Sequence, residues 1–421
     1  MKKKILILGG AAQHLKLVEA AKRMGHYTIV TDYLANSPCK AICDEAWDVN
    51  VRDVDGLEAY CNENLVDGVI AGFIDPCQIP YSELCTRLNK PCLGTPGQFY
   101  RFTNKNAFKK LCRENGVDVI PDYTEDDVRE QKISFPVFVK PVDSRGSRGQ
   151  SVCYDYCSLD EAMAFAKSES SNGEILIEQY LGDCDEFQVT YFVVNGEPHL
   201  ERTCDSYRGS ESLGLQKLVN CSISPSRHTE EYLRNAHSQV EKMIAEAGIT
   251  NGPVFMQGFV RDGQFFFFDP GLRFPGVEYE RMLNETFGFD ICEWMVEYAL
   301  TGHFPSEGIF PENAYLLNGH KAAILFPVLK NSVIDKISGL EKYRQDERVK
   351  ALFSRYVEGE EVQWTATVSQ RFAEVDLLGS SIKDIIAAIS KFQQAVSVRS
   401  RSGEEMLIDS FMPAQLLDKY S

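Results

Sequence analysis

Lys140 closes the mostly apolar run Phe135-Pro136-Val137-Phe138-Val139, and Gly146, Ser147 and Gly149 follow it closely. Glycines let backbone N–H groups come near an anion, and a neighbouring lysine adds positive charge, so these residues offer phosphate or carboxylate binding. Residues 150–154 have strand character, which makes the segment a strand, a loop and a second strand. A Walker-type phosphate loop needs a helix after the loop, and its sequence pattern is absent. An ordinary polar hairpin turn is the competing reading of the same residues. Arg208, in the loop 202–209, is of a type that binds carboxylates bidentately, and is equally suited to plain exposure. No His or Cys cluster points to protease or redox chemistry.

The elements that must position these residues belong to a chain of 421 residues, which suggests two to four domains. Its composition, 44% hydrophobic and 25% charged, is that of an ordinary globular protein. A net charge of −17 argues against a nucleic-acid partner, because the phosphate backbone requires a basic face. A small anionic ligand needs only local positive charge. The thirteen cysteines are scattered, with Cys39/Cys43 and Cys153/Cys157 at i, i+4 spacing and no Cys-x-x-Cys pair. Buried reduced thiols in a cytoplasmic protein fit this better than a metal site. The apolar run after Lys2-Lys3-Lys4 is too short for a signal peptide, and no run is long enough to span a bilayer.

In chain order, a buried strand at 4–8, the turn Gly9-Gly10-Ala11-Ala12, a helix over 14–24 and a strand at 27–31 ending at Asp32 outline a βαβ unit. The G-x-G-x-x-G fingerprint is missing, which argues against dinucleotide binding there. Strands at 45–50, 68–71 and 91–93 alternate with helices over 54–64 and 79–88, as in a parallel sheet covered by helices. Thr103 or Asn104 caps a further helix, which Gly116 ends. After the central hairpin come a helix over 159–168 and a strand at 174–179. Strands at 188–194 and 198–203 flank Asn195-Gly196, strands at 253–261 and 264–269 flank Asp262-Gly263, and a single long helix covers 229–247. The segment 305–311 has the composition of a linker. A β-rich region begins near Lys321 and is closed by a helix over 382–395.

This order of elements resembles the ATP-grasp superfamily, in its biotin carboxylase and carbamoyl phosphate synthase-like branch. The resemblance covers essentially the whole chain. It implies an α/β fold with α+β character in the central module: an N-terminal parallel-sheet domain over 1–98, a two-lobed ATP-grasp module over 99–305 hinged near 178–181, and a β-rich C-terminal domain over 306–421. By resemblance Lys105 and Lys140 are the two phosphate-contacting lysines. Gly146, Ser147 and Gly149 belong to the flexible loop over the triphosphate. Glu178, Gln179, Tyr180 and Leu181 form the hinge that meets adenine, and Glu186 approaches the ribose. Lysines offset phosphate charge, and an extended hinge offers one donor and one acceptor to a base edge.

The metal end departs from the family pattern, a Glu on one strand and Glu-x-Asn-x-Arg on the next. Gln257 holds the first position, and the second set reads Asp269-Pro270-Gly271-Leu272-Arg273. Asp269 and Gln257 are the expected Mg²⁺ ligands, for one ion or two, with two doubtful for want of a carboxylate. Arg273 would stabilise charge on the transferring phosphoryl group or orient a carboxylate, unless it pairs structurally with Glu278 or Glu280. The resemblance implies an ATP-dependent carboxylate–amine or carboxylate–thiol ligase working through an acyl phosphate, with Lys140 and Arg273 as its catalytic residues. Its partners would be small-molecule carboxylate and amine substrates, without nucleic acid or membrane, and family habit implies a homodimer. Gln257 and Gly271 also motivate a second class, an ATP-binding pseudoenzyme or regulatory subunit. A biotin-dependent carboxylase is less attractive, since the chain has no Met-Lys-Met acceptor.

Overall fold

The computed structural model describes residues 2–142, 149–209, 213–215, 218–276, 279–305, 310–365, 367–408 and 411–420. The strand Lys4–Leu8 is apolar on both faces because it lies inside a parallel sheet, between Tyr27–Thr31 and Gly68–Ile70. Glu45–Trp47 pairs with the outer side of Tyr27–Thr31, giving a four-stranded sheet. Helix Leu15–Arg23 packs on it after a turn at Gly9, whose φ is +96°. A Cβ at Gly9 would lie 3.1 Å from the His14 ring and 3.2 Å from Cys77 Sγ, so the turn needs glycine in both conformation and space. The strand expected at 91–93 does not form; those residues are irregular and lead into helix Pro96–Arg101.

A second sheet runs Asp122–Tyr123, Ile175–Gln179, Val137–Pro141, Ser151–Cys153, antiparallel throughout. Val137, Val139 and Ile177 pack against Leu159, Ala162 and Ala166 of helix Tyr156–Glu169. Side chains alternate across a strand, so Phe138, Lys140 and Glu178 point to the other face.

The third sheet is the largest. Its strands run Gln264–Gly271, Gly252–Arg261, Asp185–Val194, Glu197–Arg208, Val219–Ser224, Lys321–Leu325, Ala373–Gly379, Val349–Ser354, each antiparallel to its neighbour. Strands from both sides of residue 305 therefore share one ladder. Its two expected hairpins turn at Asn195-Gly196 and Asp262-Gly263, all four residues at positive φ, as a two-residue turn of matching twist requires. Phe187, Val189 and Tyr191 pack into the core below, where Tyr232 meets Phe187 at 5.3 Å between ring centroids. The helix expected over 229–247 is broken at Ala236 into Thr229–Asn235 and His237–Glu246. Tyr191 supplies a physical reason: its hydroxyl bonds Tyr232 at 2.7 Å and His237 Nδ1 at 2.5 Å, one from each half.

Helix Ile382–Ala395 covers the far end of the large sheet, burying Ile385, Ile389 and Phe392 against Val375, Leu377 and Leu325. Among the described residues, no helix is long and apolar enough to cross a membrane, and no group of three His, Cys, Asp or Glu side chains could hold a metal.

Candidate nucleotide and substrate site

Asn104 caps the helix Lys105–Glu114 by accepting from the Ala107 amide at 3.0 Å. This puts Lys105 in the first turn and Lys109 one turn on along the same face. Lys109 is buried and bonds the Ile120 carbonyl at 2.8 Å and Glu178 Oε1 at 2.6 Å. Lys140 meets the other oxygen, Glu178 Oε2, at 2.5 Å. Burial alone would raise the Glu178 carboxyl, but Lys140 and Lys109 outweigh it and hold its pKa below the usual value. The Glu178 side chain is thus a two-lysine clamp, and its contribution to a bound base is left to the main chain. Lys109, absent from the sequence reading, is the residue that makes the clamp; its i, i+4 spacing from Lys105 was the available signal.

Beyond the clamp the chain passes close to the large sheet. The Gln179 amide donates to the Pro121 carbonyl at 2.8 Å and the Tyr180 amide to the Pro136 carbonyl at 3.0 Å. Among the described residues the Leu181 amide has no hydrogen-bond partner, so it is the donor of this segment still open to a ligand. The Leu181 side chain packs on Ile120 and Phe266, tying the hinge to the sheet. Gly149 has φ +68°, and a Cβ there would stand 2.7 Å from Pro141 Cγ and 2.8 Å from Glu169 Cβ. Gly146 and Ser147 lie outside the described residues.

Register places the remaining candidates in three rows across the polar face of the large sheet. Ser206, Glu186 and Phe259 form one row. Cys204, Gln188, Gln257 and Asp269 form the next, and Arg202, Thr190, Phe255 and Gly271 the third. Successive rows are about 7 Å apart along the strands, and neighbours within a row about 5 Å. In the first row Glu186 holds Arg208 at 2.6 Å, which places that arginine on a protein carboxylate. Gly182, Glu186, Ser206, Arg208, Phe259 and Lys419 contribute to the walls of a cavity of about 250 Å³ there. In the second row Gln188 Nε2 donates to Ser206 Oγ at 3.1 Å. Burial raises the Asp269 carboxyl, Lys105, Arg273 and Lys140 pull it down, Asp75 pushes it up, and its pKa stays above the usual value. The charges of both predicted lysines and of Arg273 are thus felt at this one carboxylate.

Arg273 forms a bidentate pair with Asp75, at 2.6 Å through Nε and 3.1 Å through Nη2. Glu280, one of the partners expected from sequence, pairs instead with Lys16, and Glu278 lies outside the described residues. Asp75 sits in the turn Asp75–Cys77 of the first domain, and nothing in the local sequence marks it. Oxygen donors aligned in one row, a carboxylate at Asp269 and amide carbonyls at Gln257 and Gln188, suit a hard cation such as Mg²⁺. The cleft between the two antiparallel sheets therefore has lysines on one wall and hard oxygen donors on the other, a setting for a polyanion and its cation.

Residues 104–252 match the family model described as carbamoyl-phosphate synthase L chain, ATP binding domain. A curated relative, the formate-dependent phosphoribosylglycinamide formyltransferase of Synechococcus sp. (strain CC9311), is 23% identical over 253 residues. That alignment takes in 58% of this chain and 64% of the relative, so the chain spans less than two thirds of the length of the first curated relatives it matches. The L-amino acid ligase from Bacillus licheniformis superposes with a TM-score of 0.77 at 20% identity, over 95% of this chain and 99% of that one. Phosphoribosylglycinamide synthetase from Anaerococcus prevotii gives 0.76 at 14% identity, over 95% and 100%. At such identities the structural likeness speaks for the fold.

Proposed function

We infer, from a chain that has the ATP-grasp fold and carries the carbamoyl-phosphate synthase-type ATP-binding domain, an ATP-dependent ligase that activates a carboxylate as an acyl phosphate and releases ADP and phosphate. The observation that carries this reading is the row of Asp269, Gln257 and Gln188 in register on the large sheet, with Lys140 Nζ 5.7 Å from the adjacent Phe268 ring and Arg273 held by Asp75. In this reading Lys105 and Lys140 offset the charge of the phosphates, the Leu181 amide meets the base, and Glu186 faces the ribose. Gly146, Ser147 and Gly149 belong to the loop above the triphosphate. Asp269, Gln257 and Gln188 would hold Mg²⁺, which when bound supplies positive charge against the phosphate oxygens. Arg273, fixed by Asp75, stabilises charge on the transferring group, and alignment carries most of the rate.

The acyl substrate is a small carboxylate and the acceptor an amine or similar nucleophile. Among similar proteins, formate-dependent formyl transfer and amino acid ligation are both of this class. The assay is release of ADP from MgATP across a panel of carboxylates and amines, read beside thermal stabilisation by ATP and ADP with and without Mg²⁺. Release that depends on one carboxylate and one amine supports the ligase. Tight, Mg²⁺-independent nucleotide binding without release supports the second reading, a nucleotide-responsive pseudoenzyme, which the lone carboxylate of the Asp269 row favours.

A further inference from the structure

Arg202 stands in the row beyond Asp269, 2% exposed, with its guanidinium under the Tyr279 ring at 4.4 Å. Its Nε donates to Ser224 Oγ at 3.1 Å and its Nη2 to Cys204 Sγ at 3.1 Å. Its Nη1 is buried without a hydrogen-bond partner. Among the described residues no carboxylate lies within ion-pair distance of it. Directly across the strand pair, Thr190 Oγ1 is also buried and unpartnered, as is the Tyr279 hydroxyl.

The nearby carboxylates compensate this cation only at a distance. Lys16 is paired with Glu280. Burial, then repulsion from Glu280, pushes the neighbouring Glu201 carboxyl up to about 8 against the pull of Arg202 and Lys16, so it makes no fixed ion pair with Arg202 at neutral pH. A buried cation with an open donor, two open hydroxyls and no directly paired carboxylate is costly on its own and is completed by an anion. The row is about 7 Å along the strands from the one carrying Asp269, and Phe255 lies between Thr190 and Gly271 within it. Arg273 is 5.5 Å from the Phe255 ring. The two arginines thus stand on either side of Phe255, on one face.

We propose that Arg202, Thr190 and Tyr279 form an anion subsite that anchors a carboxylate of the small-molecule substrate, distinct from the carboxylate activated beside Asp269. This deepens the ligase reading and rests on it for the position of the reacting group. The subsite makes the enzyme selective for a substrate that presents a second small anionic group, roughly a sheet-width of a few strands from the phosphoryl acceptor.

The test uses the whole chain saturated with MgADP, with sodium acetate and sodium formate as carboxylate probes and sodium chloride at equal ionic strength as control. The wild type is expected to gain thermal stability with acetate or formate over chloride. Arg202→Met should abolish that gain and leave the MgADP shift intact, and Arg202→Lys should retain part of it. Thr190→Val and Tyr279→Phe, which keep the packing, should each weaken the probe, and the three-group loss should exceed about tenfold in apparent affinity. The proposal is overturned if the wild type shows no carboxylate gain, or if Arg202→Met lowers melting temperature but keeps the gain, as a purely structural arginine would. Should Arg202→Met not fold, unchanged probe affinity in both hydroxyl variants overturns it. Inorganic phosphate outdoing both carboxylates would overturn the carboxylate assignment. Loss of the MgADP shift in the wild type would count against the ligase reading alone, since the probe gain and its dependence on Arg202 are read separately.

Discussion

Arg273 and Asp75 face each other through two hydrogen bonds, 198 residues apart in sequence. The pair fastens the end of the strand that carries Asp269 to the turn Asp75–Cys77 beyond the parallel sheet, so Arg273 is oriented from outside its own sheet. Gly271 makes room for it: a Cβ there would stand 2.9 Å from Arg273 Cγ and 3.2 Å from Nε. The glycine that departs from the family pattern is therefore matched to the arginine that keeps it.

Gly271→Asn should push Arg273 off Asp75 and lower kcat/KM for carboxylate-dependent ADP release by about tenfold or more. Gly271→Ala should do the same more weakly. An Asn variant with rising turnover would show instead that the site is a worn ancestral one that welcomes the missing residue.

Lys140→Ala and Lys105→Ala should separate stability from nucleotide binding. Lys140 is one of two cations on a buried carboxylate, and removing such a partner costs about 3–5 kcal/mol. The Lys140 variant should melt well below wild type before any nucleotide is added. Lys105, half-buried at the start of its helix, should lower the unliganded melting temperature less than Lys140→Ala does and reduce the MgATP shift. Denaturant titrations of both variants, with and without MgATP, make the comparison.

Glu178 ties the same clamp to pH. Its folded-state pKa is depressed, so its stabilisation is present above the unfolded carboxylate pKa and is lost as pH falls through the folded value. Glu201 runs the other way. Its carboxyl rises from 4.5 to about 8 on folding, so the folded chain keeps a proton that the unfolded chain releases. Stability should fall as pH rises from about 4.5 to about 8, by up to about 1.4 kcal/mol per pH unit from this group. Glu201→Gln should flatten that slope and raise the melting temperature at pH 8; an unchanged slope would remove Glu201 as its source.

Gln257→Glu adds a carboxylate in register with Asp269. The Mg²⁺ concentration giving half-maximal stabilisation with ATP should fall by about tenfold. No change would place the cation elsewhere in the row.

Much of this was legible in the residues themselves. Asn195-Gly196 and Asp262-Gly263 marked both hairpins, and Asn104 and Gly116 bounded the Lys105 helix, because turns and caps are written in local chemistry. The apolar run 135–139 marked the strand that carries Lys140. What stayed hidden depended on register and on distant chain. Gln188 became part of the Asp269 row only once three strands were aligned, Asp75 reached Arg273 from a distant turn, and Arg202, expected in a loop over 202–209, lies in the strand Glu197–Arg208 and is buried there. The break at Ala236 escaped for a similar reason, since Tyr191, on a different element, bonds both halves.

The large sheet does not stop where the nucleotide rows stop. Val219–Ser224 pairs on its far side with Lys321–Leu325, and Ala373–Gly379 and Val349–Ser354 extend the ladder. A fragment ending at residue 305 would leave the Val219–Ser224 strand with an open edge of unpaired backbone groups, the template on which chains aggregate. Expression of the first 305 residues should therefore yield insoluble material even though every residue assigned to ATP is present. The C-terminal third is better regarded as a rim of the nucleotide platform than as a detachable appendage.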